Sequence, residues 1–246
     1  VMPKGSGAGP RGWRARLGAV TAGLAAAAGA CAVAWWAASR DGARILAEKG
    51  RLARVEAASL GVRRGAAHRE LRLYSDRGWW VRARWREPVG GVPPYQAVVL
   101  IDGQGIGADA IDLLPDDAGT IAVALDYPPG FPEWLTLGEA VRRWPELRRL
   151  ALRVPASVLL ALDLVAADPR VDTARIAVIG SSLGVPAAAA AAALDPRADG
   201  VALVYGGADL ASLLDANLGL EPRAWRALWA RLGAWWLAPV EPARYA

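Results

Sequence analysis

The sequence predicts an α/β fold with a mostly parallel sheet that is preceded by an antiparallel hairpin. Short aliphatic runs without polar alternation recur at 97–101, 120–125, 175–179 and 201–205. Runs of this kind are typical of strands that are buried on both faces of a parallel sheet. Helical stretches separate them, and strands that alternate with helices indicate βαβ units. The composition, 54% hydrophobic and 22% charged, is that of a globular chain.

The hairpin is predicted from strict alternation just before these runs. Leu71 and Leu73 alternate with polar residues, a turn follows at 76–78, and apolar residues then alternate with arginines over 79–86. Such a pattern indicates two antiparallel strands with one buried face. Residues 42–66, which precede the hairpin, have loosely spaced apolar positions and are interpreted as a short basic helix or a linker.

The clearest helix is predicted from about residue 146 to residue 167, where apolar residues recur every three or four positions. Pro145 lies where a helix would begin, a position that tolerates proline. Pro155 lies inside the stretch, so the sequence predicts a helix that is either kinked or restarted there.

An apolar run near the N-terminus predicts a membrane anchor or a signal segment. Residues 17–38 are 22 residues without a charge, preceded by three arginines, and about 20 residues suffice to span a bilayer. Trp35 and Trp36 near its end favour an uncleaved anchor. Small residues at 28 and 30 would instead suit cleavage of a signal peptide. A lipoprotein signal at Cys31 is a third interpretation. The predicted location is a bacterial inner membrane, with the domain that follows the segment outside the cytoplasm, or secretion.

Charge is unevenly distributed along this chain of net charge +5. Residues 1–90 contain 17 Lys and Arg against 6 Asp and Glu, whereas residues 91–246 contain 12 against 18. The basic excess beside the apolar segment would favour an anionic lipid surface, and a solvated arginine-rich face explains it equally well. No nucleic-acid recognition motif is present, so nucleic acid is not predicted as a partner.

The chain has one cysteine, Cys31, and one histidine, His68. An intrachain disulfide is therefore excluded, and so is a structural zinc site built from cysteine and histidine. Neither a metal nor a cofactor is predicted.

The motif that points to chemistry is Gly180-Ser181-Ser182-Leu183-Gly184, which fits G-x-S-x-G. An aliphatic strand precedes it and an alanine-rich helix follows it, as a strand–turn–helix nucleophile elbow requires. Such a turn lifts the serine hydroxyl clear of the sheet, and the helix N-terminus behind it favours developing negative charge. The glycines allow a strained turn that packs backbone against backbone.

Together with the Asp-Pro-Arg segments at 168–172 and 195–197 and the run at 201–205, this motif resembles the α/β-hydrolase superfamily, most closely its dienelactone-hydrolase-like and prolyl-oligopeptidase-like branches. The resemblance covers residues 69–246, after an N-terminal segment at 1–40 and a linker at 41–68. It implies a serine hydrolase that uses Ser182 as nucleophile and the Leu183 N–H as one oxyanion donor. A second donor would come from the loop after residue 101, from Gln104 or Gly103, although Asp102-Gly103 stands where many relatives have His-Gly.

The resemblance also shows what is missing. In this superfamily the acid and the histidine follow the serine in the chain, but no histidine follows Ser182, and His68 precedes the first hairpin strand. Asp209 lies at a rarer acid position. Two explanations remain open, a chain cut off before the acid and histidine, or a natural hydrolase-like protein without catalysis. In either case we expect these 246 residues to be a poor hydrolase, because a serine without a base stays protonated.

Near the C-terminus, tryptophans and leucines follow helical spacing over residues 223–237. This stretch is either a lid or acyl-binding wall, or a helix that faces the core. The resemblance to the α/β-hydrolases implies an esterase, thioesterase or peptidase with a small-molecule ester, thioester or peptide substrate, and the apolar run implies attachment to the membrane through residues 17–38. The alternative is a non-catalytic binding module at the membrane.

Overall fold

The computed structural model describes residues 20, 23–24, 27–31, 33, 41–115, 117–132 and 136–245. The chain divides into two compact units, Val1–Arg40 and Asp41–Ala246. In the first unit the described positions between 20 and 33 are helical, and most of the predicted membrane or signal segment over 17–38 lies outside the described residues. No helix among the residues that are described is both long and apolar enough to cross a membrane.

The second unit is built on a seven-stranded sheet. Its strands are β1 (Leu52–Arg63), β2 (Ala66–Ser75), β3 (Trp80–Pro88), β4 (Tyr95–Ile101), β5 (Thr120–Leu125), β6 (Val171–Ser181) and β7 (Gly200–Val204). Its helices are α1 (Asp41–Lys49), α2 (Leu137–Arg142), α3 (Trp144–Ala166), α4 (Val185–Leu194), α5 (Leu210–Asn217) and α6 (Arg223–Trp236). Short 3-10 segments lie at Gly107–Leu113, Ser182–Gly184, Ala238–Val240 and Pro242–Arg244.

The strand order is β1-β2-β3-β5-β4-β6-β7. Strands β1 to β3 are antiparallel, β3 is antiparallel to β5, and β5, β4, β6 and β7 run parallel. The predicted α/β fold with antiparallel strands at the N-terminal side of the sheet is therefore confirmed. The sheet is mixed rather than mostly parallel, because β1 adds a third antiparallel strand and three of the six strand pairings are antiparallel. From β4 the chain moves to β5 on one side, and from β6 it moves to β7 on the other. The carboxyl ends of β4 and β6 therefore meet at a topological switch point, where α/β sheets bind their ligands.

The core lies where the central parallel strands pack against α3 and α4. All six residues of β5 are buried, and α3 buries a long face that includes Leu159, Leu160 and Leu162. Helix α3 continues through Pro155 without interruption, so of the two sequence interpretations the restarted helix is wrong. Pro155 removes one backbone hydrogen bond from the helix. Burial of this wide apolar face offsets the stability that is lost with that bond.

Two sequence predictions are corrected at the edges of the sheet. The basic helix or linker expected over 42–66 is a helix only at α1, and 52–63 form strand β1. Nearly every residue of β1 is exposed, so burial imposes no period-two pattern on its sequence. The run at 201–205 was expected to be buried on both faces, but every residue of β7 is exposed. No described strand pairs with its outer edge.

Candidate active site

Ser182 lies at a sharp turn between β6 and α4. Strand β6 ends at Ser181, one 3-10 turn covers Ser182–Gly184, and α4 begins at Val185. The backbone of Ser182 has a φ of +54°, a left-handed conformation that costs a residue with a side chain about 1–3 kcal/mol. The residue is exposed. The strand–turn–helix arrangement predicted from the motif is thus present, with the serine raised from the sheet.

The two flanking glycines are required by close backbone packing. A Cβ added to Gly180 would lie 2.5 Å from the Cβ of Ala188 in α4. A Cβ added to Gly184 would collide with the carbonyl group of Ile101 at the end of β4. Because the φ of Gly184 is an ordinary −75°, space rather than backbone conformation demands a glycine there. The turn is therefore held tightly against both the helix and β4.

The loop after β4 lies directly beside the serine. Ile101 is the register partner of Gly180 in the neighbouring strand, so the two strands end together. A Cβ added to Gly103 would lie 3.5 Å from both the Cβ and the Oγ of Ser182. The structure therefore brings the predicted oxyanion loop and the predicted nucleophile together.

Within this loop the two candidate donors differ. The Gly103 N–H donates to the Asp102 carboxylate, with 2.6 Å between N and Oδ1, and Asp102 is buried. Among the hydrogen bonds of the described residues none uses the Gln104 N–H, and the Gln104 side chain donates through Nε2 to the Phe131 carbonyl at 3.3 Å. The Gly103 N–H is therefore already occupied by the Asp102 carboxylate, whereas no described hydrogen bond occupies the Gln104 N–H, and an oxyanion role for either group stays a prediction.

Tyr127 is a site residue that the sequence interpretation missed. Its hydroxyl donates to the Asp102 carbonyl at 2.9 Å, and its ring packs on Phe131 with 4.9 Å between centroids. Burial and the nearby Asp102 carboxylate raise the pKa of Tyr127 well above its ordinary value, so the hydroxyl stays protonated and remains a donor. The available signal was its position directly after β5, at the sheet edge that also carries Ser182.

An apolar cleft opens beside Ser182. Its volume is about 450 Å³. The lining contains no charged side chain; besides Ser182 and Leu183 it includes Tyr127, Phe131, Val154, Pro155, Leu210, Leu213, Leu214, Leu237 and Val240. A cleft that is mostly apolar with a few polar groups at one end is the usual form of a small-molecule site.

The only histidine lies far from the serine. His68, which the sequence interpretation put before the first hairpin strand, lies within β2 because that strand begins at Ala66. The register places it level with Arg86, Ala122 and, in β6, Ala177. Four strand spacings, roughly 19 Å, therefore separate it from β6, and Ser182 lies a further roughly 16 Å along that strand. Burial lowers the pKa of His68, and neighbouring arginines act in the same direction. His68 cannot accept the proton of Ser182 from this position.

Asp209 is the N-cap of α5. Its carboxylate accepts hydrogen bonds from the Ala211 N–H at 3.0 Å and from the Ser212 hydroxyl at 2.5 Å. The bond from Ser212 is the main reason why the pKa of Asp209 lies below its ordinary value. Helix capping explains this arrangement, and a role as catalytic acid stays a prediction. Among the described residues no three His, Cys, Asp or Glu side chains form a group that would hold a metal ion.

The fold is similar to that of solved esterases. Acetyl xylan esterase 1 from Thermoanaerobacterium sp. JW/SL YS485 matches with a TM-score of 0.61 and 19% identity, over 85% of this chain and 73% of that one. An acetyl xylan esterase from Paenibacillus sp. R4 matches with a TM-score of 0.60 and 19% identity, over 83% and 73%. No protein-family model matches the sequence, and no curated protein matches it.

These similarities, with the strand order and the turn at Ser182, establish an α/β-hydrolase fold. The α/β-hydrolase fold that the sequence resemblance implied is thereby confirmed. The choice between the dienelactone-hydrolase-like and prolyl-oligopeptidase-like branches stays a prediction.

Proposed function

We propose that this protein is a serine hydrolase that cleaves carboxylic esters through an acyl-enzyme on Ser182. The observation that carries the proposal is the position of Ser182. It is exposed at a φ of +54°, beside the loop of Gln104 and at the mouth of the apolar cleft. The solved esterases of the same fold support an ester rather than another bond, and thioesters and peptides are further substrates to test.

In the proposed reaction the Ser182 oxygen attacks the ester carbonyl while its proton passes to a base. The Leu183 and Gln104 N–H groups would stabilise the oxyanion, with the N-terminus of α4 adding a favourable field. The carbon–oxygen bond to the alcohol then breaks, and the alcohol leaves with a proton. Water hydrolyses the acyl-serine, releases the acid and restores the hydroxyl.

Within the part of the chain that the structure describes, no histidine lies near Ser182 to act as the base. The only histidine is His68, which lies in a distant strand. We therefore propose that these residues alone acylate Ser182 slowly. The same observation favours a second candidate function, a binding module that uses the cleft without catalysis.

A fluorophosphonate probe with added imidazole separates the two. Imidazole supplies the missing general base from solution, and peptide mapping locates the label. We expect slow labelling of Ser182 that imidazole accelerates. Ser181→Ala serves as the matched control and should label like the wild type, whereas Ser182→Ala should not label at this peptide. Absence of any imidazole-dependent label on Ser182 would contradict the hydrolase and leave the binding module.

We also propose that residues 17–38 attach the chain to the membrane or direct its export. The support is the uncharged run of 22 residues with basic residues before it. The chain should remain with the membrane fraction after alkaline carbonate extraction if the segment is an uncleaved anchor. Recovery of a shortened chain outside the cell would instead indicate a cleaved signal.

A further inference from the structure

Helix α6 carries an apolar stripe on its outer face. Trp225, Leu228, Leu232 and Trp235 are 56%, 46%, 42% and 63% exposed. Their spacing of three, four and three residues places them on one side of an α-helix. The helix predicted over 223–237 is thus present, but this set of large side chains faces outward rather than into the core.

The stripe is not the packing face of the helix. On the opposite side Ala230 is 1% exposed, and a Cβ on Gly233 would lie 2.9 Å from Cδ1 of Leu214 in α5. At the end of the helix Trp236 stacks on Trp144 of α3, with 3.9 Å between ring centroids. Helix α6 is therefore already seated on the protein, and its stripe is an additional surface.

The charge of α6 indicates what that surface meets. The helix contains three arginines and neither aspartate nor glutamate. Arg226 is paired with Asp215 and, less closely, with Glu221. Arg231 is exposed and borders the stripe one turn before Trp235. Arg223 is also exposed, but it lies at the first residue of the helix on the side opposite the stripe. The outer face therefore combines large apolar side chains with one exposed positive charge at its border.

We propose that the outer face of α6 docks on an anionic lipid surface. Tryptophan rings favour the boundary between headgroups and acyl chains, leucines between them enter the apolar layer, and arginines pair with acidic headgroups. A protein partner that buried the stripe would give no response to vesicles of acidic lipid.

The proposed docking face is connected to the cleft through helix α5. Helix α5, on which α6 packs, lines the cleft with Leu210, Leu213 and Leu214, and the segment after α6 lines it with Leu237 and Val240. The helix that meets the lipid is thus the outer layer of one cleft wall. The docking does not depend on hydrolysis, so it holds for Ser182→Ala as well.

A fluorophore placed in the stripe tests the proposal on the full chain. Cys31, the only native cysteine, is replaced by serine, and Leu228→Cys is labelled with an environment-sensitive nitrobenzoxadiazole. Phosphatidylglycerol–phosphatidylcholine vesicles should shift its emission to the blue and raise its intensity, and salt should reduce the effect. Pure phosphatidylcholine vesicles should change it little. Val62→Cys on β1, 64% exposed in the wild type, is the matched control and should not respond.

Because both labelled proteins keep the same N-terminal segment, tethering by that segment contributes equally to both. Arg231→Gln should weaken the response at residue 228, whereas Arg223→Gln, on the opposite side of the helix, should leave it unchanged. Leu232→Cys gives a second reporting position if Leu228→Cys folds poorly. No shift at either stripe position would overturn the proposal, as would an equal shift at residue 62 or on phosphatidylcholine alone. A shift that appears without vesicles as protein concentration rises would show self-association instead.

Discussion

Replacing Gly184 by alanine tests how closely the turn at Ser182 approaches β4. An added Cβ would meet three backbone atoms, the Ile101 oxygen and carbon and, at 3.2 Å, the Asp102 nitrogen. Backbone atoms cannot move aside as the end of a flexible side chain would. The change must therefore push the turn and the loop of residues 102–105 apart.

The expected magnitude follows from two opposed effects. Overpacking a closely packed site costs about 1–3 kcal/mol or more, and here the obstacle is backbone, which favours the upper end of that range. The φ of −75° is compatible with alanine, and replacing glycine returns up to about 1 kcal/mol of backbone entropy. We therefore expect Gly184→Ala to lose about 2 kcal/mol of unfolding free energy, with slower labelling of Ser182.

Urea unfolding followed by circular dichroism measures the change, with Gly138→Ala as control. Gly138 lies in α2 with no atom within 4 Å of an added Cβ, so alanine there should stabilise by about 0.4–1 kcal/mol. If Gly184→Ala were as stable as the wild type and labelled at the same rate, the close contact between the turn and β4 would be refuted.

Three further predictions concern the surroundings of the site and the sheet. Tyr127→Phe removes the hydroxyl that holds the Asp102 carbonyl, so unfolding free energy should fall by about 1 kcal/mol and imidazole-assisted labelling of Ser182 should slow; unchanged labelling would deny Tyr127 a positioning role. Arg86→Met removes a buried guanidinium that donates to three backbone carbonyls at 111–115, and urea unfolding should show a loss of about 3 kcal/mol; a neutral result would contradict these bonds. Because the pKa of His68 is lowered in the folded state, its stabilising contribution is complete above the unfolded pKa of about 6.5 and is lost as pH falls. Wild-type stability should therefore decline between about pH 7 and pH 5 more than that of His68→Gln, and parallel pH profiles would refute this.

The turn at Ser182 could be predicted from local sequence patterns. The motif, the aliphatic run before it and the alanines after it are contiguous in sequence, and each constrains the same few residues. Glycines at 180 and 184 could be explained in advance by close packing, and the structure identifies their neighbours as Ala188 and Ile101. The sequence could therefore indicate both the shape of the turn and its raised serine.

Edge strands could not be recognised in the same way. The runs at 120–125 and 201–205 look alike in sequence, yet β5 is buried throughout and β7 is exposed throughout. Strand order decides the difference, and no single run encodes strand order. Strand β1 could not be recognised for a different reason. It is an exposed edge strand, so its sequence does not alternate between apolar and polar residues.

Contacts between residues of different strands could not be predicted from the sequence either. Tyr127 reaches Asp102 because β5 pairs with β4, which only the topology shows. The Gly103 N–H is taken by the Asp102 carboxylate, and the tendency of aspartate to bond nearby backbone groups was the one hint available. The second of these contacts occupies the Gly103 N–H, and for that reason the proposed reaction uses Gln104 as the second oxyanion donor.

In the part of the chain that the structure describes, strand β7 forms an unpaired edge of the sheet, to which a strand from another molecule could bind. Its residues carry no charge, and in the described chain its outer N–H and C=O groups face no further strand. Natural sheets usually guard such an edge with lysine, proline or a bulge. Concentrated protein should accordingly recruit strands from other molecules at this edge. A lysine in place of Val201 or Leu203, which are 51% and 47% exposed, would act as a gatekeeper against aggregation.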